Sequence, residues 1–316
     1  MDYVEYGKTG VQVSVAGLGC GGHSRLGQSQ GGSVEDSVNI VKTALDLGIT
    51  LIDTAVAYGT EDIVGRAIQG QRDKVVLSTK VVISKFGEPE VPWTTPEQLR
   101  ESLEGSLKRL KTDYIDIFNL HGVAANQYKH CQDYLMPEML KLRDEGKIRL
   151  FGITERFVQE TQHEMLDVAL KDDFWHSMMV GFNLLNPSAR HTVFDRTQAK
   201  GIGTLCMFAV RRALSTPSAL NELLQGLVAD GTLPDGAFDA DDPLGFLTNS
   251  GDASSVPNSA YRYCRHTPGV DVVLTGTGKI EHLKQNVASI LEPPLSAASL
   301  ERLDTLFGKV ASVSGN

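Results

Sequence analysis

"SVEDSVNIVKTALDLGITLIDTAVAYGTEDIVG", residues 33–65, changes its hydrophobic period twice. Val34, Val38, Val41 and Leu45 fall on one helical face, and Ser33 and Asp36 have the spacing of a capping box. Gly48 is a natural helix stop, and "ITLID" (49–53) follows at once as a short apolar, β-branched run. Glu61, Asp62, Ile63 and Val64 then open another helix. Helix, buried strand and helix in direct succession form the repeating unit of a parallel α/β fold.

The unit recurs in both directions along the chain. Further strands are expected at "VAGLG" (15–19), "KVVLSTKVV" (74–82), "YIDIFNL" (114–120) and "IRLFGIT" (148–154). Three more follow at "MMVGFNLL" (178–185), "IGTLCMF" (202–208) and "VDVVLTG" (270–276). Helical segments separate most of them, one started by Thr95-Pro96 with Leu99, Leu103, Leu107 and Leu110 along one side. Runs this uniformly apolar are buried on both faces, as in a parallel sheet. Eight of them in unbroken alternation predict a single (β/α)8 TIM barrel over residues 1–316 rather than two domains. "VEYGKTGVQVSVAGL" (4–18) reads as a hairpin ahead of the first barrel strand. Residues 211–256 break the rhythm, with a helix near 218–229 and then a Gly/Asp/Pro-rich stretch. That stretch is expected to be a long mobile loop after the seventh strand.

Composition narrows the function classes. A net charge of −9 and a pI near 5.4 argue against a nucleic-acid or anionic-membrane surface. No apolar run has the length to span a bilayer, and the N-terminus carries neither a basic nor an apolar signal region. Cys20, Cys131, Cys206 and Cys264 are widely spaced, which suits reduced thiols in a cytoplasmic protein. The histidines show no metal-ligand spacing, so no metal site is expected.

In a barrel of this kind, chemistry collects at the C-terminal ends of the strands. Asp53 ends the second strand, Lys80 lies near the end of the third, and His121 directly follows the fourth. Tyr58 sits in the loop after the second. Singly, each has a plainer reading: a helix cap, a packed loop tyrosine, a solvated lysine, a structural histidine. Together on one rim they make a set. A phenol titrates near ~10, too high for efficient proton transfer near neutrality, and an adjacent ammonium lowers that value. Asp53 would hold Lys80 charged, and His121 would donate to an oxygen on which charge develops. Tyr58 would protonate a carbonyl oxygen while hydride reaches its carbon.

On these residues the chain resembles the aldo-keto reductases over essentially its whole length. "DTAVAYG", "STK" and "NLHG" match that family's catalytic tetrad as Asp53, Tyr58, Lys80 and His121. "GKIRLFGIT" resembles its nicotinamide-carboxamide segment, and "LTGTGKIEHLKQN" its adenosine-phosphate segment. The resemblance implies a (β/α)8 barrel that uses NADP(H), or less often NAD(H), without a metal. It implies cofactor contacts at Gly21 and Gly22 beneath the dinucleotide, and at Asp53, Thr154 and Glu155. It implies others at Met207, Phe208 and Val210, and at Gly276, Thr277, Gly278, Lys279, His282, Gln285 and Asn286. Arg211 and Arg212 would hold the pyrophosphate or form a solvated basic pair. Thr154-Glu155 stands where most members have Ser-Asn, which is similar to the aldose 1-dehydrogenase and L-galactose dehydrogenase subgroup. Met179 replaces a carboxamide-binding glutamine, so Thr154 and Glu155 are expected to hold that group. His282 replaces an arginine, yet Thr277 and Lys279 with no nearby acid favour NADP(H) over NAD(H).

The leading expectation is an oxidoreductase acting on a small aldehyde, ketone or sugar, as a monomer or small homo-oligomer. Trp93, His23, Arg156 and the 211–256 loop are candidate pocket walls. Two alternatives stand beside it: a Schiff-base lyase or aldolase with Lys80 as nucleophile, and a non-enzymatic nucleotide-binding regulatory subunit.

Overall fold

The computed structural model describes residues 1–84 and 93–316. An antiparallel hairpin, β1 (Tyr3–Glu5) and β2 (Gln12–Ser14), precedes the barrel. Around the barrel run β3 (Ala16–Gly19), α1 (Val34–Asp46), β4 (Leu51–Asp53), α2 (Glu61–Ala67), β5 (Val76–Val82) and α3 (Pro96–Leu110). They are followed by β6 (Ile115–Val123), α4 (Tyr128–His130), α5 (Met136–Asp144), β7 (Ile148–Glu155), α6 (Glu164–Ala169) and β8 (Ser177–Gly181). The chain continues through α7 (Asp195–Lys200), β9 (Gly203–Met207), α8 (Arg212–Ser215), α9 (Pro217–Ala229) and α10 (Gly245–Thr248). It ends with α11 (Val256–Arg265), β10 (Val272–Thr275), α12 (Ile280–Leu291) and α13 (Ala297–Phe307). Strands β3 to β10 pair in sequence, all parallel, and β10 closes on β3. This is a (β/α)8 barrel.

Strand alternation divides the apolar residues between two compartments. Leu51, Val76, Ile117, Leu150, Met179, Leu205 and Val272 form a cluster inside the barrel, with Tyr6 and Val13 of the hairpin closing one end. Tyr6 gains a hydrogen bond with Ser177 Oγ at 2.5 Å, and its ring lies where Gly203 has no side chain. Outward residues such as Ile52, Leu77, Phe118 and Phe151 pack under the helices. Helix α1 begins with the expected capping box at Ser33 and Asp36 and buries Val38 and Val41, while Val34 stays exposed.

Three features differ from the sequence reading. Strand β5 ends at Val82 as expected, but β6 runs on to Val123, so His121 lies within the strand rather than just beyond it. Strand β8 stops at Gly181, because Asn183 Oδ1 accepts from the amides of Leu185 and Asn186 and turns the chain. The third difference is the 211–256 segment. The expected helix is present as α9, but α8 and α10 flank it, and buried Leu233, Leu244, Leu247 and Ala253 anchor the stretch expected to be loose. Its base is pinned by buried Arg262, which donates to Pro293 O (2.7 Å), Pro294 O (3.1 Å) and Asp252 O.

Arg262→Met should therefore cost about 2–3 kcal/mol, as expected for several carbonyls losing a charged donor in a buried place. Urea unfolding measures the loss. Limited proteolysis should cut between Ala229 and Val256 in the variant well before the native chain.

Candidate active site

Strand register brings the acid and the lysine together. Asp53 ends β4, and Lys80 lies two positions beyond Ser78, the β5 partner of Asp53. Lys80 Nζ donates to Asp53 Oδ1 (2.6 Å), Asp53 Oδ2 (2.7 Å) and Thr54 O (2.7 Å). Lys80 has no exposure to solvent. Its burial favours the neutral amine, but Asp53 and Tyr58 outweigh that, and its pKa ends above the ordinary lysine value. A charged ammonium with all three protons donated is a poor nucleophile, which argues against the Schiff-base alternative.

Tyr58 lies over this pair, with Lys80 Nζ 5.0 Å from the ring centroid. A short 3-10 turn from Val56 to Tyr58, ended by Gly59 in the left-handed region, carries the phenol out of β4. Gly21 makes room for it, since a Cβ there would meet the Tyr58 ring at 2.6 Å. Tyr58 Oη is 3.3 Å from His121 Nε2, and the two rings meet edge to face. His121 is aimed by an irregularity in the β6–β7 register between Leu120 and Val123, where Gly122 adopts φ +58°. The displaced Gly122 amide donates to Thr154 Oγ1 at 2.7 Å.

The electrostatics differ from the sequence expectation in one respect. Burial raises the Tyr58 pKa above the ordinary 10, and the opposing pull of Lys80 reduces this shift without reversing it. Tyr58 is a protonated phenol at neutral pH. Burial, reinforced by the charges of Lys80 and Arg156, holds His121 well below the ordinary 6.5, so the imidazole is neutral.

Two concavities meet at Tyr58, Met179, Met207 and Phe208. The larger, of about 770 Å³, is a groove running outward between the β9 and β10 loops. Gly21 and Gly22 line it, as do Met207, Phe208, Val210, Arg211 and Arg212 and, farther out, Gly276, Thr277, Gly278, Lys279, His282, Gln285 and Asn286. Among the described residues, Asp53 is its sole carboxylate-bearing lining residue, and that group is already bound to Lys80. Arg211 lies with its guanidinium carbon 4.2 Å from the Phe208 ring centroid and donates to Asn316 Oδ1 at 2.7 Å. Asn286 gives an amide proton to Thr275 Oγ1 at 2.9 Å. The smaller cavity, of about 300 Å³, is lined by His121, Thr154, Arg156, Phe157 and Gln159.

Glu155 does not occupy the place expected of it. Its side chain is wholly buried, with both oxygens 3.0 Å from His163 Nδ1 and Oε1 also 2.7 Å from Gly181 N. A carboxylate so engaged is unavailable to a carboxamide, which leaves Thr154 as the polar group at that point of the rim. Of the expected walls, Arg156 lines the smaller cavity and His23 the groove, while Trp93 packs on His130. Sequence reasoning missed Gln30 and Ser24 from the β3–α1 loop and Asn258 from α11, which also line the groove. They are single polar residues in segments with no distinguishing pattern. His163 was missed as well, and a lone histidine eight positions after Glu155 gives no sign of the pairing.

Comparison with known proteins gives the family and the fold. The model of the aldo/keto reductase family matches residues 18–307. The chain is 31% identical over 311 residues to aldo-keto reductase YhdN of Bacillus subtilis, covering 90% of this chain and 88% of that one. Its fold is similar to the holo form of aldo-keto reductase AKR11C1 from Bacillus halodurans, with a TM-score of 0.73, 25% identity and coverage of 99% and 98%. It is also similar to a Klebsiella pneumoniae aldo/keto reductase solved with NADP and acetate, with a TM-score of 0.67, 26% identity and coverage of 96% and 95%. With the barrel and these matches in agreement, the chain belongs to the aldo/keto reductase family.

Proposed function

We propose that the protein is an NADP(H)-dependent oxidoreductase that interconverts an aldehyde, ketone or sugar carbonyl with its alcohol. One observation carries this reading: Tyr58 Oη and His121 Nε2, 3.3 Å apart, stand where the groove meets the cavity, above a charged lysine. The groove suits a dinucleotide phosphate. Gly21 and Gly22 leave the backbone open to close approach, and Arg211, Arg212 and Lys279 supply positive charge. Thr277 and His282 add hydrogen-bonding groups at the Lys279 end. When bound, the dinucleotide supplies or accepts the hydride.

The residues of the chain handle the oxygen. Neutral His121 with a proton on Nε2 donates a hydrogen bond to a carbonyl oxygen and orients it. Tyr58 gives that oxygen its proton, and Lys80 stabilises the phenolate that remains. Asp53 keeps Lys80 charged and in place. In the oxidative direction Tyr58, as phenolate, takes the alcohol proton.

Tyr58→Phe should lower kcat by roughly 10²–10⁴-fold while nucleotide affinity stays unchanged, because only the proton-transfer group is lost. Steady-state kinetics with a reactive aldehyde, paired with fluorescence titration of NADPH, tests this. Near-normal turnover would remove Tyr58 from the mechanism.

The pH dependence follows from the directions of the two shifts. The proton donor is protonated below its raised pKa, so reduction should be flat through neutrality and fall only in the alkaline range. Oxidation needs the phenolate and should rise with pH over the same range. His121 is already neutral near pH 6.5 and should add no limb there. A reductive kcat profile with a break near pH 6.5 would contradict the assignment.

The groove also sets a nucleotide preference. NADPH should bind about 10- to 100-fold more tightly than NADH, a difference of ~1.4–2.8 kcal/mol, through Thr277, Lys279 and His282. Equal affinities by fluorescence titration at pH 6.5 would overturn this part of the reading.

A further inference from the structure

Behind the Lys80–Asp53 pair lies a second polar layer that the tetrad does not account for. Strand register stacks it: Asp53 pairs with Ser78, Lys80 with Asn119, and Asn119 with Gly152. Ser78 and Lys80 are two positions apart on β5, so both project into the barrel. Ser78 Oγ donates to Asp53 Oδ1 at 2.8 Å and accepts from Asn119 Nδ2 at 3.0 Å. The same amide nitrogen reaches Thr79 O at 3.2 Å. These contacts fix the orientation of the amide. Reversed, it would set Oδ1 against a hydroxyl whose proton is already given to Asp53 and against a carbonyl oxygen.

That orientation leaves Asn119 Oδ1 without a donor among the described residues. Asn119 and Ser78 are both wholly buried. Gly152 accommodates the oxygen, since a Cβ on that residue would lie 2.0 Å from it. A buried acceptor without a donor is destabilising, and a leucine has nearly the same shape without that burden. An asparagine that merely filled space would be the worse choice here.

We infer that Asn119 and Ser78 are positioning residues, which hold the Asp53 carboxylate where both its oxygens meet Lys80 and so keep Lys80 beneath Tyr58. The inference rests on the oxidoreductase reading only in taking Tyr58 as the proton-transfer group. The chain of contacts is continuous: amide to hydroxyl, hydroxyl to carboxylate, carboxylate to ammonium. Removing its far end frees Ser78 to rotate and Asp53 to follow.

The test compares Asn119→Leu, Ser78→Ala and Ser78→Thr with the native chain. Asn119→Leu should melt no lower than native, yet show kcat reduced roughly tenfold with KM and NADPH affinity unchanged. The alkaline limb of kcat should be displaced as well. Ser78→Ala should behave alike, and Ser78→Thr, which keeps the hydroxyl, should restore kcat. The phenol is also followed without turnover, through the alkaline ultraviolet difference between each chain and its Tyr58→Phe version. Its midpoint should move by about half a pH unit or more in Asn119→Leu. Unchanged kcat and an unmoved midpoint in folded Asn119→Leu and Ser78→Ala would overturn the inference. Should Asn119→Leu fold poorly, Ser78→Ala and Ser78→Thr decide, and equal activity of the two overturns it. A native chain inert toward every carbonyl would refute the oxidoreductase reading instead, and the phenol titration would then decide this inference alone.

Discussion

An ammonium and a carboxylate share the inside of a closed barrel, and most of the site depends on how they are held. Taking two charges out of water costs several kcal/mol per ion, and mutual attraction offsets this only when the geometry is close and the remaining hydrogen bonds are met. Both conditions hold for Lys80 and Asp53: two short contacts to the carboxylate, a third to Thr54 O, and Ser78 on the carboxylate oxygen. Their partners come from β4 and β5, whose parallel register fixes which side chains can meet. The pair is therefore a product of the barrel as a whole.

The interior is layered accordingly. Near the hairpin the inward residues are apolar, from Leu51 and Val76 to Val272. Two positions farther along, β4, β5 and β6 carry Asp53, Ser78 and Asn119, and the next inward positions on β5 and β6 carry Lys80 and His121. The barrel changes from oil-like to polar over the length of a few residues. The apolar end gives the fold its stability, and the polar end is where the fold gives some of it up.

Much of this was legible in the sequence because strands and helices impose different periods on apolar residues. The eight strands, the hairpin and the four groups of the tetrad all stand in the order that the run of β-branched segments implies. What escaped was set by distance in space. Glu155 looked available because its neighbour in the chain is Thr154, but its oxygens are taken by His163 and by the Gly181 amide of the adjacent strand. The 211–256 segment looked loose because its polar residues outnumber its apolar ones, yet buried side chains recur along it from Ala213 to Ala253. Sign also escaped. Proximity of Lys80 to Tyr58 suggests a lowered pKa, whereas the balance of burial against charge depends on enclosure, which no linear pattern reports.

Tyr6 seals the barrel at the hairpin end, with its ring against Gly203 and its hydroxyl on Ser177. Among the described residues, the groove and the smaller cavity both reach Tyr58 at the other end, where its ring centroid lies 5.0 Å from the buried Lys80 Nζ. Among the described residues, the hairpin end offers water no path to the ion pair. Protons on Lys80 exchange with solvent only when the rim opens, so their exchange should be slow compared with that of the other lysines among the described residues. On the mechanism proposed above, a proton given by Tyr58 to a bound oxygen would be regained through the same mouth by which that molecule leaves.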